Sequence, residues 1–68
     1  MKKYSKKLEY IINCISETGF DPAGQIYGYM QTKDDKYITR NGNARDLIKF
    51  IDPAELENFV AQVALKNN

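Results

Sequence analysis

The chain has 68 residues, 43% of them hydrophobic and 28% charged, with a formal net charge of +1. That length makes one domain, residues 1–68, whose small core hides only about 60% of the unfolded surface, and the composition is globular rather than disordered. No apolar run is long enough for a transmembrane helix, and the opening Met-Lys-Lys leads into no signal-peptide core, so a cytoplasmic protein without membrane insertion is expected.

The charge is unevenly spread. Lys2, Lys3, Lys6 and Lys7 stand in the first seven residues, and the rest of the chain is net acidic. Residues 1–4 are expected to be a flexible basic terminus, with contact to nucleic acid or an acidic partner as the alternative. Cys14 is the one cysteine, so no internal disulfide forms. It reads as a small half-buried hydrophobe in a reducing compartment.

The first helix is expected over residues 4–18, beginning near Tyr4 or Ser5. Leu8, Ile11, Ile12 and Ile15 recur at the spacing of one helical face. Gly19 ends it, because glycine takes the left-handed conformation that terminates helices. Phe20, just ahead of the next cap, suits a hydrophobic staple. The second helix, over 22–32, starts with Asp21 as cap and Pro22 at the first position, where no backbone N–H is needed. Its inward stripe is Ala23, Ile26, Tyr27 and Met30. Gly24 and Gly28 share one face, each costing about 1 kcal/mol relative to alanine. Together with Tyr29, off the stripe, they read as a place where another backbone or ring comes close.

Lys33-Asp34-Asp35-Lys36 reads as an exposed turn, since its spacing fits no calcium loop. Tyr37-Ile38-Thr39 is expected to be a connector whose Tyr37 and Ile38 plug the core, with a strand paired across a dimer as the alternative. Asn41-Gly42-Asn43 is a turn, with Asn43 capping a third helix over 43–50 whose stripe is Ala44, Leu47, Ile48 and Ile51. Asp52-Pro53-Ala54-Glu55 repeats the corner chemistry of Asp21-Pro22-Ala23, with Glu55 placed to close a capping box. The fourth helix, over 53–65, carries Leu56, Phe59, Val60, Val63 and Ala64 on its apolar side, and residues 66–68 are expected to fray. The fold class is therefore all-α, four short helices in two helical hairpins, first with second and third with fourth, around one core.

Catalytic chemistry finds little footing. Without histidine there is no imidazole base, and one cysteine cannot build a thiolate–imidazole zinc site. Gly24-x-x-x-Gly28 lies inside a helix and lacks the Lys-Ser/Thr pair of a phosphate loop. The chain reads as non-catalytic, with no catalytic or metal residues and no cofactor. Two helices joined by a turn superficially resemble a helix-turn-helix, and Arg40, Arg45 and Lys49 would then touch nucleic acid. The acidic residues nearby argue against that reading. Arg45 has a structural alternative, an ion pair or a carbonyl contact near the turn. Five tyrosines and three phenylalanines are many for this length, and tyrosine suits an interface as well as a core.

One resemblance goes further. Gly19-Phe20-Asp21-Pro22-x-x-Gln25-Ile26-x-Gly28-Tyr29, then Asp35-x-Tyr37-Ile38, Asn43-Ala44-Arg45-x-Leu47-Ile48 and Glu55-Leu56 resembles the IreB-like regulatory phosphoproteins of Gram-positive bacteria. The likeness runs from about residue 8 to residue 65. It implies a small helical cytoplasmic homodimer, a substrate of a transmembrane serine/threonine kinase, with influence on cell-envelope stress and cephalosporin resistance. The family's phosphorylated threonines lie in an N-terminal extension; here Ser5 is the hydroxyl in the lysine-rich stub and the candidate acceptor. Gly24, Tyr27, Gly28 and Tyr29 are the expected dimer or partner surface. A close approach within the chain, by the first helix or the Tyr37 ring, is the alternative explanation of the glycines.

Overall fold

The computed structural model describes residues 4–66, and all regular structure among them is helical. Helix α1 spans Lys6–Glu17, α2 Pro22–Thr32, α3 Ala44–Leu47 and α4 Pro53–Lys66. Short 3-10 turns occupy Asp35–Tyr37, Asn41–Asn43 and Ile48–Phe50. Lys2 and Lys3 lie outside the described residues, as do residues 67 and 68 of the end expected to fray; Lys66, expected to fray with them, is the last residue of α4.

Each helix end has a local cause. The Ser5 hydroxyl accepts the Leu8 N–H at 3.1 Å and caps α1. At the other end Gly19, at φ +89°, donates its N–H to the Ser16 carbonyl, the left-handed stop that glycine provides. Asp52 Oδ1 accepts the Ala54 N–H at 3.0 Å and caps α4. Asp21, in the same Asp-Pro-Ala context, makes no side-chain cap bond; α2 begins on the fixed φ of Pro22 alone. Asp52→Ala is therefore expected to cost about 1 kcal/mol and Asp21→Ala clearly less, read from the two thermal midpoints. Equal losses would mean that both carboxylates cap.

Four further expectations are corrected. The third helix is one α-turn, Ala44–Leu47, tightened at both ends into 3-10 geometry. Asn43 does not cap it: its backbone is left-handed at φ +67°, and its side chain makes no cap bond. Glu55 does not close a capping box, because its carboxylate accepts the Ser5 N–H across the fold. Phe20 remains 60% exposed rather than stapled onto α2.

The core is one cluster. Leu8, Ile11, Cys14 and Ile15 enter from α1, Ala23 and Ile26 from α2, Ala44 and Ile48 from the third-helix region, and Leu56 and Phe59 from α4, with Ile38 and Ile51 from the connections. Ile12, Met30, Leu47, Val60 and Val63 pack around it half-buried. The main packing partners are α2 with α4 and α1 with α3; α1 and α2 touch less. The contacts that build the core thus run between the expected hairpins more than within them. Tyr4, at the boundary between the expected loose terminus and the first helix, packs against the core and sets its ring edge-on to Phe59 with centroids 5.6 Å apart.

Candidate protein-contact surface

The connector between α2 and α3 is tied down residue by residue. Lys33 turns the chain out of α2 at φ +62°. Asp34 Oδ1 accepts the Lys36 N–H at 3.0 Å and sets the first 3-10 turn. Ile38 is then extended and wholly buried. Gln25, on α2, accepts the Thr39 N–H at 2.9 Å. Asn41 Nδ2 donates to the Cys14 carbonyl at 2.9 Å and to Glu17 at 3.1 Å. That carbonyl lies at a helix end, where the Thr18 N–H has turned to Ile15 instead, so the asparagine satisfies an orphan acceptor. Tyr10 donates its hydroxyl to the Gly42 carbonyl at 2.9 Å. The adjacent Cys14 thiol, by hydrogen bonding first and by charge second, pushes the Tyr10 phenol above the ordinary tyrosine range.

Gly28 belongs to this scaffold. A Cβ built there would stand 2.6 Å from Cδ1 of Tyr37, so the tyrosine ring lies flat on the glycine. Tyr37 is half exposed and covers α2 from outside; of the two residues expected to plug the core, Ile38 alone does so. Gly28→Ala sets a helix-propensity gain of about 1 kcal/mol against displacement of that ring. Little net change in thermal midpoint is expected, and a gain of about 1 kcal/mol once Tyr37→Ala has removed the obstacle. Equal stabilisation in both backgrounds would show that Tyr37 does not cover Gly28.

The two tyrosines of α2 exchange their expected places. Tyr27 is 52% exposed, whereas Tyr29 packs half-buried against the core. Tyr29 also lines a groove of about 200 Å³ with Met30, Lys33, Lys49, Ile51 and Leu56, closed by Pro53 and Glu57. Of the four expected interface residues, Gly24 and Tyr27 face solvent together, one helical turn apart. A Cβ at Gly24 would make only ordinary contact with the Asp21 side chain. Phe50, 73% exposed, is a further outward aromatic that the sequence reading passed over; its place at a helix end gave no periodic signal.

The three cations of the nucleic-acid reading do not form a free stripe. Arg45 donates through Nε to the Ile38 carbonyl at 2.9 Å, the carbonyl contact weighed as its structural role, with Nη2 3.5 Å from the Lys36 carbonyl. Lys49 pairs with Asp35 at 3.0 Å. That pairing raises the Lys49 pKa, by hydrogen bonding first and by charge second. Deprotonation of Lys49 removes that contribution only as pH rises through the raised lysine pKa, so this loss does not reach neutral pH. Arg40 is exposed, in a shallow depression shared with Asn43, Arg45 and the carboxylate of Asp46. These cations are largely occupied in holding the connector.

This is a small helical body whose distinctive polar residues brace its own connector while several aromatic side chains remain outside. The IreB regulatory phosphoprotein family model matches residues 1–65, and the chain belongs to that family. A regulatory role follows from membership, and the nucleic-acid reading is not favoured. Among the described residues no helix is long and apolar enough to cross a membrane.

Proposed function

We propose that this chain is a non-catalytic, cytoplasmic regulatory protein that acts as a homodimer through protein contacts and is a target of a membrane-anchored serine/threonine kinase. The match to a phosphoprotein family over residues 1–65 carries this reading. The resemblance adds the setting, cell-envelope stress and cephalosporin resistance in Gram-positive bacteria. Gly24 and Tyr27, exposed on the outer face of α2, supply the surface at which two copies would meet about a two-fold axis. Gly24 lets a partner approach closely, and Tyr27 offers apolar area with a polar tip. Ser5 is the proposed phosphate acceptor. It is exposed, extended at φ −61° and ψ 158°, and followed by Lys6 and Lys7.

The kinase assignment is tested by incubating the purified chain with the kinase domain from the same cell and ATP, then locating phosphate by mass spectrometry. Incorporation at Ser5 is expected. Absence of phosphate from every hydroxyl would contradict it.

A further inference from the structure

Ser5 holds two helices at once. Its hydroxyl oxygen accepts the Leu8 N–H and caps α1, while its own N–H donates to the Glu55 carboxylate in the first turn of α4. The preceding residue reinforces the junction, with the Tyr4 ring edge-on to Phe59 of α4 at 5.6 Å. The hydroxyl oxygen and the N–H that Glu55 grips are separated only by Cα and Cβ of one residue, so any charge placed on the oxygen lies beside that carboxylate.

We propose that Ser5 is a phosphorylation switch: a phosphoryl group on its hydroxyl expels Glu55 and opens the junction between α1 and α4. The inference rests on the regulatory phosphoprotein reading above. The γ-phosphoryl of ATP is transferred to Ser5 Oγ. A new O–P bond forms, the bond to the bridging β-phosphate oxygen breaks, the hydroxyl proton is released and ADP leaves. The product carries close to two negative charges at neutral pH.

Those charges act oppositely on the two helices. The N–H groups of the first turn of α1 favour an anion at the cap. Glu55 is a like charge at close range and is driven off. α1 therefore keeps its start, α4 loses its tie, and Tyr4, next to Ser5 in the chain, is no longer held against Phe59. Phe59 is buried in the unmodified protein, so phosphorylation becomes exposure of an apolar surface to a protein partner.

The test uses full-length chain carrying phosphoserine at residue 5 installed by synthesis, so its outcome is independent of whether any kinase selects Ser5. In the unmodified protein NMR should show a downfield Ser5 amide proton and nuclear Overhauser contacts between the Tyr4 and Phe59 rings. With phosphoserine both should be lost while the methyl shifts of Ile26 and Ile48 hold. In Glu55→Gln, whose neutral amide can still accept the Ser5 N–H but does not repel phosphate, the ring contacts should survive phosphorylation. Persistence of the ring contacts in the phosphorylated unmodified sequence overturns the proposal. So does their equal loss in Glu55→Gln, or global unfolding in place of a local opening.

Discussion

Gly42→Ala is expected to lower stability by about 3 kcal/mol and the thermal midpoint by on the order of 15 °C. Two effects combine. Gly42 sits at φ +62°, where a Cβ is strained, and that Cβ would fall 2.4 Å from Cys14 Sγ and 2.9 Å from the Tyr10 hydroxyl. The thiol is buried against the core and has little room to give. Gly19 is the internal control. It has φ +89° with nothing within 4 Å of its would-be Cβ, so Gly19→Ala should cost only the backbone term, about 1 kcal/mol. Thermal melts of the two variants separate strain from crowding. Equal losses would mean that the connector does not press on α1 at Gly42.

Ile38→Ala should cost about 3 kcal/mol, and Ile38→Val about 1 kcal/mol. Ile38 lies in no α-helix, yet its side chain is completely buried at the centre of the cluster. A chain of this size has on the order of 3–10 kcal/mol in total, so the alanine variant should approach the edge of folding. Urea unfolding measures both. A loss below 1 kcal/mol for Ile38→Ala would mean that the connector is not part of the core.

The helices were legible because burial repeats at helical spacing: Leu8, Ile11 and Ile15 on α1, Ile26 on α2 and Leu56 and Phe59 on α4 stand where the pattern puts them. The choice between Tyr27 and Tyr29 was not legible. Tyr27 follows Ala23 by one turn and Tyr29 follows Ile26 by one turn, so periodicity admits either. Packing decides: Tyr29 is on the side that meets Ile51 and Leu56. Capping was legible only as an option, since identical Asp-Pro-Ala corners bond at Asp52 and not at Asp21. The bracing of the connector joins Gln25 to Thr39 and Asn41 to Cys14. These pairs are distant in sequence, and no local pattern records them. The resemblance caught Gln25, Gly28 and Arg45 as motif residues, but what each of them holds was visible only in three dimensions.

With Gln25, Gly28 and Arg45 turned to the connector, Gly24 and Tyr27 stand exposed on the outer face of α2, the surface proposed for a second copy. Sedimentation equilibrium across the micromolar range, on the unmodified chain and on Tyr27→Asp, measures whether two copies meet there. Because dimer formation and folding are linked by mass action, the variant should also melt lower at equal concentration. A mass of two chains for the unmodified protein, falling towards one for Tyr27→Asp, is the predicted result. A single-chain mass at every concentration, or a dimer indifferent to Tyr27→Asp, would contradict it.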